Sequence, residues 1–168
     1  MPHTPSAFAD IDPHAPDTLR HAFASFATGV TVITSVDEHG APVGMTANSF
    51  GSVSLDPPLV QWSLRVNSGL HRIFVDATHF SVSVLAAHQT HVAKQFASRA
   101  PDRFVDIALM ETKGEPPLIR GALAYFVCKK IAVYRVGDHE LFVGEVLRAS
   151  AHGGTPLLFH GSKFIASR

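Results

Sequence analysis

The chain has 168 residues, 46% of them hydrophobic and 17% charged, which supplies the core of one domain and excludes a disordered tail protein. Its 14 Lys and Arg balance its 14 Asp and Glu, so the global field draws it neither to a nucleic-acid backbone nor to an anionic membrane. One cysteine, Cys128, excludes an intramolecular disulfide and suits a reducing cytoplasm.

The N-terminus, Met1-Pro2-His3-Thr4-Pro5, lacks the basic start and apolar stretch of a secretory signal, and no segment has ~18 consecutive apolar residues. A soluble cytoplasmic protein is expected. Mean hydropathy is still slightly positive. Without a membrane span, such a value points to apolar surface covered by a dimer interface or a cofactor.

Prolines at positions 2, 5, 13 and 16 and the lack of an apolar period make residues 1–16 a mobile arm, leaving 17–168 as the domain. From Asp17 the spacing of Leu19, Ala22, Phe23, Phe26 and Ala27 predicts an amphipathic helix, capped by Asp17 or Thr18 and ended by Gly29. Residues 30–36 are rich in β-branched side chains, and the turn 37–40 with the extended run from Ala41 completes a predicted hairpin. Further strands are expected at 59–66, 79–85, 123–136 and 140–149, with short helices at 69–74 and 88–98. The last two strands read as one long hairpin whose linker, Gly137-Asp138-His139, puts His139 at an exposed tip. Short turns rather than crossover helices separate the strands, so a closed antiparallel barrel with appended helices is favoured over a doubly wound parallel sheet.

The sequence contains no G-x-G-x-x-G, P-loop, H-E-x-x-H, paired C-x-x-C or G-x-S-x-G, so the usual dinucleotide, metal and hydrolase signals are absent. His88 and His91, three apart on an expected helix, lack a third ligand, and no metal is expected. The informative stretch is residues 44–60, where small and hydroxyl residues run through a strand and its exit. That composition suits the edge of a flat polar ligand, and equally a Ser/Thr-rich edge strand before a Pro-Pro turn. Strand 59–66 forms a second candidate wall ending in Asn67-Ser68, which reads as a phosphate-holding helix start or as an ordinary N-cap. Arg65 and Arg103 could add charge to the same phosphate.

Several blocks resemble the flavin reductase-like family, specifically the short-chain reductase components of two-component flavin-dependent monooxygenases. They are Phe26-Ala27-Thr28-Gly29-Val30-Thr31-Val32-Ile33-Thr34, Gly44-Met45-Thr46-Ala47-Asn48-Ser49-Phe50, Ser52-Val53-Ser54-Leu55-Asp56-Pro57-Pro58, Asp102-Arg103-Phe104, Gly137-Asp138-His139 and Pro156-Leu157-Leu158-Phe159-His160. They cover nearly the whole chain from Asp17 onward, in order. The resemblance implies a mainly β fold with a few helices, a split β-barrel of the FMN-binding Greek-key type, assembled as a homodimer with flavin sites near the subunit interface. It also implies reduction of FMN or FAD by NADH or NADPH.

Carried over position by position, the resemblance gives Thr46, Ala47, Asn48 and Ser49 to the isoalloxazine edge and Ser63, Leu64 and Arg65 to a strand lining the flavin. Asn67 and Ser68 are implied as phosphate or ribityl ligands, Phe96, Arg103 and Phe104 as neighbours of the flavin's polar tail, and His139 as a contact of the nicotinamide nucleotide. Phe164 stands where a tyrosine is frequent, keeping a stacking face without the hydroxyl. Residues 66–69 also depart from the pattern, since a basic residue with paired hydroxyls is frequent there.

Hydride transfer belongs to the two cofactors, so an enzyme of this kind needs no nucleophile and no metal. The expected function is an NAD(P)H:flavin oxidoreductase that releases reduced flavin to a separate oxygenase. The alternatives are a flavoprotein that keeps its flavin and reduces another substrate, and a non-catalytic flavin- or haem-binding module.

Overall fold

Strand β2 (Thr31–Val36) is buried along Thr31 to Ser35, which requires cover on both faces, and its run of β-branched residues supplies the apolar surface for it. The computed structural model describes residues 10–112 and 114–166. Of the expected arm, residues 1–9 lie outside the described residues.

In chain order the elements are α1 (Pro16–Phe23), β1 (Thr28–Gly29), β2, β3 (Pro42–Ala47), β4 (Gly51–Leu55), β5 (Pro58–Arg65), α2 (His71–Asp76), β6 (His79–Val84) and α3 (Thr90–Ala97). There follow β7 (Leu109–Met110), β8 (Leu118–Ile119), β9 (Ala124–Val136), β10 (His139–Ala151), β11 (Leu157–His160) and β12 (Lys163–Ala166). The fold is therefore mainly β with few helices. No helix among the described residues is long and apolar enough to cross a membrane.

Seven strands form one antiparallel sheet in the order β3-β2-β6-β9-β10-β5-β4. Ala47 near one end and Val60 near the other share a core cluster with Ile33, Trp62, Phe80 and Phe142, so the sheet curls strongly around that core. The ladder does not close. Its edge strands β3 and β4 are consecutive in the chain yet unpaired, and a closed barrel is corrected to a curled sheet with two edges.

Trp62 anchors this core: its ring stacks on Phe142 at 4.4 Å and meets Phe74 and Phe80 edge-on. The opposite face of β2 packs Val30 and Val32 against Val92, Ala93 and Phe96 of α3 and Leu157 of β11. A small second sheet, β1-β11-β12, brings the C-terminal strands beside the start of β2.

Both expected hairpins form. The second turns through Gly137-Asp138, with Gly137 in the left-handed region at φ 60°, so His139 is corrected from the tip to the first residue of β10, opposite Val136 and Arg65. The first helix is also corrected. It ends at Phe23 rather than near Gly29, because Thr28-Gly29 is drawn into pairing with Leu158-Phe159 of β11. Ala15 is its N-cap, not Asp17 or Thr18, and none of its residues is buried within the single chain.

Candidate functional site

The crossing from β3 to β4, residues 48–50, is held by one side chain. Ser49 donates its hydroxyl to the Ser63 carbonyl (3.2 Å) and accepts the Ser63 amide (3.0 Å), stitching the crossing to β5. Among the described residues no backbone hydrogen bond leaves the amides of Asn48, Ser49 or Phe50. Beside them lies a cavity of about 900 Å³, walled by Phe23 and Phe26 from the first helix and its exit, Phe50, and Phe159 of β11, with Asn48, Ser49, Thr28 and Gln61 supplying polar groups. The Thr28 hydroxyl oxygen is buried without a hydrogen-bond partner, a cost that a ligand acceptor or donor would relieve.

These features fit a flavin. Aromatic walls suit a planar ring system, and uncommitted amides suit its carbonyl edge.

Next to this cavity, along β5, residues alternate in direction. Leu64 points into the core, where it is 4% exposed, so its side chain is spent on packing. Ser63 is half-buried, and Arg65 is exposed at the strand's end. The chain then turns: the Ser68 amide donates to the Arg65 carbonyl (3.0 Å) and the Leu70 amide to the Ser68 hydroxyl (3.3 Å). Asn67 and Ser68 do not cap a helix. The N-cap of α2 is Leu70, with no side-chain cap, so the phosphate-holding helix start is corrected to a plain turn carrying Asn67 and Ser68.

The β9–β10 hairpin end docks on that turn. The Val66 amide donates to the Asp138 carbonyl (3.1 Å), and the Arg135 Nε–H donates to the Gly137 carbonyl (2.8 Å). His139 lies opposite Arg65 and its Nδ1 is 2.7 Å from Asp138 Oδ1, a contact that holds the Asp138 carboxyl below its ordinary value. One hydrogen-bonded unit thus carries Arg65, Asn67, Ser68 and His139.

The remaining expected residues sit elsewhere. Thr46 donates to the Ala93 carbonyl of α3 (2.7 Å), and the Ala47 carbonyl accepts the Thr31 hydroxyl (2.8 Å), so both fasten β3 to its neighbours. Phe96 is 1% exposed and packs edge-on against Phe104 at 4.9 Å, making both parts of the second core. Arg103 donates to the Gly44 carbonyl (2.9 Å), and partial burial pulls its guanidinium below its ordinary value while leaving it a cation. Phe164 packs on the cavity-wall residue Phe159 at 5.4 Å.

Sequence reasoning missed Thr28, Gln61, Phe23, Phe26, Phe50 and Phe159 as cavity residues. Four of them stand inside the blocks that carry the family resemblance, and Gln61 lies in the strand read as a second candidate wall, which were the available signals; Phe23 carries none.

A second cavity, about 920 Å³, lies between the β2–β3 turn, the end of α2 and residues 114–116. Three of its four acidic groups are already engaged, Asp76 with Arg72 (3.1 Å), Glu115 with Arg148, and Asp37 with the His39 and Ala41 amides, and the fourth, Glu38, is solvent-exposed 3.7 Å from the His39 ring. That leaves little chemistry there for a ligand. Among the described residues no three His, Cys, Asp or Glu side chains gather to hold a metal.

Comparison with known proteins converges on one family. Residues 23–167 match the model of the flavin reductase like domain. The chain is 46% identical over 147 residues to "FMN reductase (NADH) SmoA" of Agrobacterium fabrum, covering 88% of this chain and 83% of that protein. It is 40% identical over 151 residues to the reductase component of the flavin-dependent trigonelline monooxygenase of Acinetobacter baylyi, covering 89% of this chain but 49% of that protein, about half its length. Among solved structures, the NADH:FAD oxidoreductase of Streptomyces globisporus, in complex with NAD and FAD fragments, superposes with a TM-score of 0.90 at 37% identity, covering 96% of this chain and 98% of that one.

Proposed function

Since the chain belongs to the flavin reductase-like family, we propose that it is an NAD(P)H:flavin oxidoreductase that delivers reduced FMN or FAD to an oxygenase on another chain. Two relatives at this similarity are named as NADH-dependent reductases, one of FMN and one of FAD, which favours NADH as donor, and a third is named as the reductase component of a monooxygenase. The observation that carries the reading is the aromatic-walled cavity beside the uncommitted amides of residues 48–50.

The flavin, when bound, supplies the N5 position that accepts a hydride from the nicotinamide ring. The protein's part is placement and electrostatics. The amides of Asn48, Ser49 and Phe50 are the groups to hold the flavin's carbonyl edge and to stabilise negative charge gathering there. Ser49 fixes that segment by spending its own hydroxyl on Ser63. Arg65, Asn67 and Ser68 are the groups for the phosphate, and His139 for the nicotinamide nucleotide. Thr46, Ala47, Leu64, Phe96, Arg103, Phe104 and Phe164 support this arrangement from behind rather than by side-chain contact. A split barrel paired into a homodimer completes the reading. Its support is the open ladder together with exposed apolar side chains such as Leu55, 93% exposed, and Phe26, 77% exposed.

The test is oxidation of NADH and of NADPH by the purified protein, followed at the nicotinamide absorbance, without flavin, with FMN and with FAD. A rate that requires added flavin is expected. Activity without added flavin would instead show a retained prosthetic group, and no rate in any combination would leave only a binding module.

A further inference from the structure

The imidazole of His139 has its Nδ1 2.7 Å from Asp138 Oδ1, while the backbone beneath both residues is fastened to β5 and to Arg135. An ionised carboxylate only accepts, so the hydrogen of that contact belongs to Nδ1, and in the neutral ring Nε2 is left bare and directed away from the carboxylate. We propose that Asp138 is a positioning residue for nucleotide binding: it fixes the ring plane and the Nδ1–H tautomer of His139, so that Nε2 is the nitrogen presented to the nicotinamide nucleotide. The inference rests on the reading above, which gives His139 to that nucleotide.

Two features say that the hydrogen bond, rather than the charge, is what matters. The Asp138 side chain is 74% exposed and the His139 side chain 36%, so solvent screens their Coulomb attraction. Other charges also face the pair, Arg65 from β5 and Arg135 from β9, which makes the Asp138 carboxylate one charge among several. The anchoring is specific in contrast. The Val66 amide holds the Asp138 carbonyl at 3.1 Å and Arg135 holds the Gly137 carbonyl at 2.8 Å, so the turn that carries the carboxylate has a fixed place relative to the ring. The ordered turn gives Asp138 a fixed perch from which to hold an otherwise half-exposed imidazole.

Asp138→Ala removes the acceptor, whereas Asp138→Asn removes the charge and keeps an acceptor oxygen. The expected result is that D138A raises the KM for NADH about tenfold, with little change in kcat or in the KM for flavin, and that D138N stays within about threefold of the parent. Nitrogen-15 spectra of the free protein, with the His139 signals assigned by their loss in H139N, should show Nδ1–H in the parent and in D138N and a tautomer mixture in D138A. A parent-like KM and tautomer in D138A would overturn the inference, as would D138N failing as badly as D138A, or D138A raising the flavin KM equally. His139→Ala separates the two levels. If it leaves the NADH KM unchanged, the nucleotide reading of His139 itself falls, whatever the spectra say of the Asp138 contact.

Discussion

Ser49 carries more structure than its size suggests, because both hydrogen bonds between the β3–β4 crossing and Ser63 run through its hydroxyl. Removing it orphans a half-buried amide and carbonyl on β5 and frees the cavity-lining segment whose amides have no backbone acceptor. Ser49→Ala is expected to lower unfolding stability by about 1–2 kcal/mol in urea titration and to raise the KM for flavin severalfold. A stability loss with no change in flavin KM would remove residues 48–50 from the flavin site. Cys128 marks the opposite case of a reactive group kept idle. It is fully buried opposite Phe80, and burial pushes its thiol up to about 12. The thiolate is therefore scarce at pH 8, and a disulfide reagent should label the folded protein far more slowly than the chain in denaturant. Fast labelling of the native protein would show that the β6–β9 region opens readily.

Among the elements, the long β10 strand has one position where side-chain volume is forbidden. A Cβ at Gly144 would stand 2.4 Å from Phe80 Cζ and 3.2 Å from Cys128 Cβ, and Phe80 cannot retreat easily because it packs on Trp62. Gly144→Ala should cost about 1–3 kcal/mol, seen as a lower urea midpoint, and a neutral result would mean that the Trp62 cluster repacks freely. Elements of this kind also show what a sequence can reveal. The hairpins were legible because β-branched runs and Gly-containing turns act locally: the 37–40 turn closes through Asp37, and the second hairpin needs positive φ at Gly137. Helical spacing around Phe23 and Phe26 misled because pairing of Thr28 with Phe159, 131 residues away, decided where the helix stops. The polar turn after β5 misled similarly, since Asn67 and Ser68 looked like caps while the helix began at His71. Near the candidate site, the resemblance pointed to Asn48 and Ser49, which line the cavity, and to His139, which stands on the neighbouring hairpin opposite Arg65. Burial of Leu64 and Phe96 was decided by strand alternation and by α3 packing, and no residue type declares that.

For the molecule as a whole, the unresolved balance is between a curled, open sheet and the apolar side chains it leaves in water. Leu55, Phe26, Phe23, Val136, Tyr134, Leu147 and Val53 are each more than half exposed in the single chain. Scattered apolar residues are ordinary on a protein surface, but here aromatic residues line a cavity mouth and aliphatic ones sit on the edge strand β4, the two kinds of surface a two-fold contact would cover. A stable homodimer needs roughly 1,200 Å² or more of total buried surface, and a monomer exposing 10733 Å² has ample area to supply half of it. The protein is therefore expected to sediment at twice its 18.1 kDa chain mass at micromolar concentration. If the partner completes the flavin site, flavin-dependent NADH oxidation per chain should fall on dilution in step with dissociation, and saturating flavin should strengthen the dimer by linkage. A monomer at all concentrations with full activity per chain would instead require that the cavity beside residues 48–50 be complete within one chain, and the exposed phenylalanines at its mouth would then have to close over the flavin themselves.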